Sequence, residues 1–204
     1  MYFDIGANVG NWSKSNINNC RKIIAIEASP NTFSRLTRNV QSNKNIECLN
    51  YAVCNSNDEF ITFYDSNADT ISTINEDWLN SENSRFYKLT DYQKIQCKTI
   101  KLDSLIEKYG LPELIKIDVE GGEFEVVKSL SKKVNQICFE WASETNNITL
   151  DCIEYLTNLG YTDFAIQMED NYTYRPSNYT TPEEIINILK NTTPKKEWGM
   201  IWVK

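Results

Sequence analysis

The 204-residue chain contains no histidine. The commonest biological base and metal ligand is thus missing, and any proton transfer falls to Asp, Glu, Lys, Tyr or Cys. Positive charge is also short, with 21 Lys and Arg against 28 Asp and Glu and a formal charge of -7. No broad basic surface is available to neutralise a phosphate backbone, which argues against nucleic acid as a partner. Long apolar runs are absent as well. The longest, such as Ile23 to Ile26, are far too short to span a bilayer. No charged stretch followed by an apolar segment and a cleavage site precedes the first strand-like run at Tyr2, so a soluble, cytoplasmic protein is expected. The six cysteines include no C-x-x-C, which points to buried free thiols, not a disulfide framework or a zinc site. No internal repeat or linker interrupts the chain, and its length suits one domain over residues 1–204.

Short apolar runs alternate with helical patterns. Tyr2 to Ile5, Ile23 to Glu27 and Ile46 to Val53 read as strands, separated by a helix from Asn11 to about Asn19 and another beginning at Pro30, where Phe33, Leu36 and Val40 fall at helical spacing. Asp58 to Tyr64 and Gln93 to Leu102 alternate like strands around an irregular polar insertion, about residues 65–92, which holds Trp78. A helix from Leu102 to Tyr109 leads to strands at Leu114 to Asp118 and in "QICFEW". Helices at Thr149 to Leu159 and Pro182 to Leu189, and strands at Tyr161 to Gln167 and Trp198 to Val203, complete the chain. This alternation predicts an α/β fold with a mostly parallel sheet and helices on both faces.

In such folds ligands lie across the carboxyl ends of the strands. The stretch "FDIGANVGNWS" puts a glycine turn, Gly6 to Gly10, at one of those ends. A dinucleotide fingerprint fails, because Asn8 and Asn11 stand where its second and third glycines belong, and no G-K-[ST] follows to make a P-loop. Asp4, directly before the turn, would repel phosphate and attract an ammonium group. Glu27 closes the second strand, where a carboxylate can accept both hydroxyls of a ribose. S-adenosylmethionine has an ammonium group, a ribose and no phosphate, and it fits these positions.

"FDIGANVGNWS", "IAIEASPNTFSRLTRNV", "LNYAV", "TIKLDSLIEKYGLPELIKIDVEGGEFEVVKSL" and "FEW" occur in the order and spacing of the FkbM-type methyltransferases, which the chain resembles from about Tyr2 to Trp141. That resemblance implies a Rossmann-like class I methyltransferase fold, a seven-stranded sheet with the last strand antiparallel, and O-methylation of a sugar, glycan or small-molecule hydroxyl. It implies cofactor contacts from Ala7, Asn11 and Ala28, with Asp4, Gly6, Asn8 and Gly10 around the methionine moiety. Glu27 would hold the ribose, Asn50, Tyr51 and Ala52 would lie beside the adenine, and Asp118 would bind the cofactor and face the methyl-transfer site. The cofactor half is about 1–141 and the acceptor half about 142–204. Many relatives carry a stretch before the motif strand. Here either the polar segment around Trp78 or a neighbouring copy of the chain is left to cover the cofactor.

Methyl transfer from a sulfonium is an in-line displacement that depends mainly on alignment. A hydroxyl acceptor still gains from a nearby base. Asp118 and Glu140, both at strand ends after apolar runs, are the catalytic candidates, with Asp118 preferred as base and Glu140 as a substrate-orienting group. Simpler roles stand beside these: Asp118 or Glu120 capping the next helix, Glu140 pairing with a lysine at the rim, and Trp141 packing. No metal is expected, although Asp118, Glu140 and Glu144 offer oxygen ligands. A non-catalytic module of the same fold and, with less support, a nucleic-acid methyltransferase remain the competing readings. The latter lacks an N/D-P-P-[YFW] tetrad.

Overall fold

The computed structural model describes residues 1–66, 71–82, 84, 85, 87 and 91–204. Part of the polar insertion therefore lies outside the described residues. The first half comprises β1 (Tyr2–Ile5), α1 (Asn11–Asn16), β2 (Ile23–Ile26), α2 (Pro30–Val40), β3 (Ile46–Leu49), β4 (Ala52–Val53), β5 (Phe60–Ser66) and α3 (Glu76–Asn80). Then follow β6 (Tyr92–Ile100), α4 (Leu102–Tyr109), β7 (Leu114–Ile117), α5 (Glu123–Val127), β8 (Ile137–Ala142), α6 (Asn146–Asn158), β9 (Phe164–Met168), α7 (Pro182–Lys190) and β10 (Trp198–Val203).

Seven strands form one sheet in the order β3-β2-β1-β7-β8-β10-β9. Pairing is parallel from β3 to β8, and β10 runs antiparallel to both its neighbours. The expected seven-stranded sheet with an antiparallel last strand is thus present. The strand order reverses between β1 and β7, the place where open α/β sheets leave a crevice.

Side chains alternate between the two faces with period two. Phe3, Ile5, Ile24, Ile26, Ile115 and Ile117 point to one face and pack with Leu105 of α4, Val126 of α5, Leu156 of α6 and Leu189 of α7. The opposite parity, including Ile23, Ala25 and Cys138, packs with Trp12 of α1 and Leu36 of α2. On that second face one register row crosses the whole sheet: Cys48, Ala25, Asp4, Lys116, Cys138, Trp202 and Ala165. An acid and a lysine thus sit side by side in an otherwise uncharged row.

Local signals set the helix ends. Ser29 caps α2 by accepting from the Thr32 backbone N–H at 3.2 Å, with Pro30 in the first turn. Gly110, at φ 93°, ends α4.

Two sequence expectations need correction. The third strand does not run to Val53, because the Asn50 amide donates to the carbonyls of Glu27 and Ala28 at 2.8 and 2.9 Å and draws the chain out of the sheet. Ala52 and Val53 instead pair with Thr99 and Ile100, and β4, β6 and β5 make a separate three-stranded sheet. Finally, Tyr161 precedes β9 and is not part of it, since its buried hydroxyl both accepts from and donates to the Val134 backbone. All six cysteines are free, four of them buried. Among the described residues, no helix is long and apolar enough to cross a membrane.

Candidate active site

The turn after β1 is built against the end of β7. Gly6, at φ 72°, lies so close to the Asp118 carbonyl that an added Cβ would come within 1.7 Å of its oxygen. Only glycine fits there. Gly6 and Ala7 both donate to the Ile26 carbonyl, at 3.0 and 2.9 Å. Asn8 takes the left-handed conformation, φ 48°, where a dinucleotide turn would use glycine. Its backbone N–H donates to Glu27 Oε2 at 2.9 Å, and Ser29 N–H donates to Oε1 at 2.9 Å.

Glu27 is therefore held by two backbone donors while each oxygen keeps a lone pair for a further one. Burial pushes its carboxyl up to about 7, against the downward pull of those two donors.

Asp4 is fully buried and does not reach the cavity. It accepts from the Ser13 hydroxyl at 2.6 Å and faces Lys116 Nζ at 3.3 Å. Lys116 also reaches Asp118 at 3.2 Å and donates to the Gly6 carbonyl at 2.9 Å. Burial would depress this lysine, but Asp118 and Asp4 outweigh it and hold the ammonium form well above its ordinary range. The expected contact between Asp4 and a ligand ammonium is thus corrected: its charge is spent on Lys116.

Beyond Asp118 the strand ends are acidic. Asp118, Glu120 and Glu140 each bring a carboxylate oxygen within 4.8 Å of the others. Glu120 is left-handed at φ 55°. Glu140 has the sheet parity of Lys116 and Cys138, and has no hydrogen-bond or ion-pair partner among the described residues. Burial first, then Asp118 and Glu123, raises Glu120 well above the glutamate range. Burial, then Glu120 and Asp118, does the same to Glu140. Helix capping falls to neither Asp118 nor Glu120. Glu123 accepts from the N–H groups of Val119 and Gly121 at 3.1 and 3.3 Å. Glu144 lies outside the three-carboxylate cluster and pairs with Arg85, and Trp141 is buried, with its Nε1 donating to the Gln167 carbonyl at 3.3 Å.

A cavity of about 430 Å³ opens over these strand ends, within the usual range for small-molecule sites. It brings together Gly6, Ala7, Asn8 and Asn11, then Glu27, Ala28, Tyr51 and Ala52, and finally Asp118 and Glu140. Three expected contacts do not line it. Besides Asp4 these are Gly10, which opens α1 against Leu36 and Val40, and Asn50, which braces the backbone carrying Glu27. Trp78 is not a lid either: it is buried with Tyr64, Ile71 and Leu79 and packs under Gly121. The chain's own Phe63, Ser72, Ile74 and Arg85 form part of the wall, as do Lys116, Asp170, Tyr172 and Trp198. Sequence reasoning assigned none of these a role. A lysine inside a strand buried on both faces was a readable signal, because such a charge needs a partner.

Comparison with known proteins agrees with this fold. The chain is 27% identical over 147 residues to the hexuronic acid methyltransferase AglP of Haloferax volcanii, a match covering 68% of this chain and 53% of that protein. The chain thus spans about half the length of this curated relative. Its fold resembles precorrin-6y C5,15-methyltransferase from Geobacter metallireducens, with TM-score 0.52, 12% identity and coverage of 100% of this chain and 78% of that one. Fibrillarin of Aeropyrum pernix, solved with natively bound S-adenosyl-L-methionine, aligns with TM-score 0.50 and 10% identity over 100% of this chain and 66% of the other. A family model described as the methyltransferase FkbM domain matches residues 4–162, and by that match the chain belongs to the FkbM methyltransferase family.

Proposed function

We propose that this chain is an S-adenosylmethionine-dependent O-methyltransferase acting on a hydroxyl of a sugar or glycan. The fit to the cofactor is supported by Glu27, whose free lone pairs face the cavity for two ribose hydroxyls, and by the apolar walls from Tyr51 and Phe63 suited to adenine. When bound, S-adenosylmethionine supplies a methyl group on a sulfonium that leaves as a neutral thioether.

The observation that carries the acceptor reading is Glu140, which lines the cavity beside Asp118 and has no hydrogen-bond or ion-pair partner among the described residues. Asp118 shares Lys116 with Asp4, so its charge is already engaged and it orients the acceptor hydroxyl. Glu140, raised by burial and by its acidic neighbours, takes the proton. This reverses the preference for Asp118 as base. The named substrate of the curated relative, a hexuronic acid, supports a sugar as acceptor, and the acidic site argues against a polyphosphate strand.

The test is transfer of labelled methyl from S-adenosylmethionine to fractionated glycans and soluble sugars. Label on a sugar oxygen is the expected outcome, with kcat lowered roughly 10²- to 10⁴-fold in Glu140→Gln, the range for losing a general base. Label found only on nucleic acid or protein would overturn the reading. Cofactor binding without transfer to any fraction would favour a non-catalytic module.

A further inference from the structure

The connection after β9 returns from the outer edge of the sheet to α1. Glu169 turns the chain with φ 58°, and the Gln167 amide donates to the carbonyls of Glu169 and Asn171 at 3.1 and 3.4 Å. The far end is tied down by Asn16, which is fully buried at the end of α1. Its amide donates to the Tyr172 carbonyl at 3.0 Å, and its side-chain oxygen accepts from Arg175 at 2.5 Å. The Arg175 guanidinium in turn covers the Trp202 ring at 5.2 Å. A buried amide bonded to both sides makes this segment a fixed strap.

The strap sets Asp170 and Tyr172 in the cavity wall that Asn8, Asn11 and Trp12 share. Charge at this end is unbalanced. Asp170 lines the same cavity as Lys116 and Asp118, and Lys116 is already divided between Asp4 and Asp118. Asp170 thus adds a carboxylate to a cavity wall where the Lys116 ammonium is already shared by two others. Glu27, assigned to the ribose, lines the same cavity from the end of β2.

We propose that Asp170 receives the α-ammonium group of the methionine moiety, the part that buried Asp4 does not reach. This assignment rests on the cofactor reading above and adds a residue from outside the glycine turn.

The test compares S-adenosylhomocysteine with 5′-methylthioadenosine, which keeps the adenosine and sulfur but lacks the amino-acid group. Both are titrated calorimetrically into the wild-type protein, Asp170→Asn and Asp170→Glu. Asp170→Asn is expected to weaken S-adenosylhomocysteine about tenfold or more, ~1.4 kcal/mol or above, and to leave 5′-methylthioadenosine unchanged. Asp170→Glu keeps most of the preference. Equal weakening of both ligands would make Asp170 a structural part of the strap and overturn the proposal, as would no change in either. Wild-type protein that binds neither ligand overturns the cofactor reading itself, an outcome distinct from any shift in the ratio.

Discussion

Lys116 Nζ and Asp4 Oδ1 face each other at 3.3 Å from directly paired positions on β7 and β1, with side chains 7% and 0% exposed. Removing one partner of such a buried pair strands the other charge, at a cost of roughly 3–5 kcal/mol. Lys116→Met is therefore expected to lower stability by that order in a urea titration. Asp4→Asn combined with Lys116→Met restores part of the loss, because the double variant buries no unpaired charge from this pair. Simple addition of the two single losses would show that the residues act separately.

The position of Glu27 predicts a pH-dependent affinity. Its carboxyl, held at about 7 by burial, is increasingly protonated below that pH, and a protonated oxygen is a poorer acceptor for ribose hydroxyls. Binding of S-adenosylhomocysteine should weaken as pH falls from 8 to 6, with proton release visible as a dependence of calorimetric heat on the buffer. Glu27→Gln should lose about ten- to a hundredfold in affinity, the order of one to two charge-assisted hydrogen bonds, and lose the pH dependence as well. A flat profile in the wild type would count against Glu27 as the ribose ligand.

The acidic strand ends predict how the ligand-free protein responds to pH. Glu27 and Glu123 rise from 4.5 to about 7 on folding, and Glu120 and Glu140 rise well above 4.5, each through burial first. A carboxyl raised in the folded state binds its proton more tightly there than in the unfolded chain. Stability is therefore fully present below about 4.5 and is lost as pH rises toward 7 and beyond. Glu140→Gln should raise Tm by roughly 2–6 °C at pH 8, leave it nearly unchanged at pH 5, and lower kcat by the roughly 10²- to 10⁴-fold expected for loss of a base. A lower Tm at both pH values would mean that Glu140 makes a stabilising contact.

Gly6 offers a steric test. An alanine methyl would lie 1.7 Å from the Asp118 carbonyl oxygen in a left-handed backbone, so Gly6→Ala must push β1 and the end of β7 apart. Loss of cofactor binding together with roughly 2–4 kcal/mol of stability is expected, within the range for strain at a special backbone position. A variant with unchanged binding would show that the two strand ends are free to separate.

The sheet and most of its helices were legible because buried strands and amphipathic helices write their periods directly into the chain, as in "IIAIE" and Phe33, Leu36, Val40. The break of the third strand was not, because it depends on Asn50 reaching two carbonyls in a neighbouring segment. Within the site, Asn8 was readable as a turn residue and Glu27 and Asp118 as strand-end residues, whereas Glu140, expected at a strand end, lies inside β8 opposite Met200. Asp4 was misread for want of Lys116: whether a carboxylate faces a ligand or a buried partner depends on the strand laid beside it. Asp170 carried no local signal, since it reaches the cavity only through the ties between its segment and Asn16.

The row containing Asp4 and Lys116 and the carboxylates just beyond it occupy the face of the sheet covered by α1 and α2. The opposite face packs into the main hydrophobic core. Altering acceptor choice is therefore a problem of the rim, where Ile74 and Arg85 of the polar insertion join the cavity wall. Loop exchange in that insertion is expected to change the acceptor taken while the strap and the α4–α7 half of the molecule are left untouched.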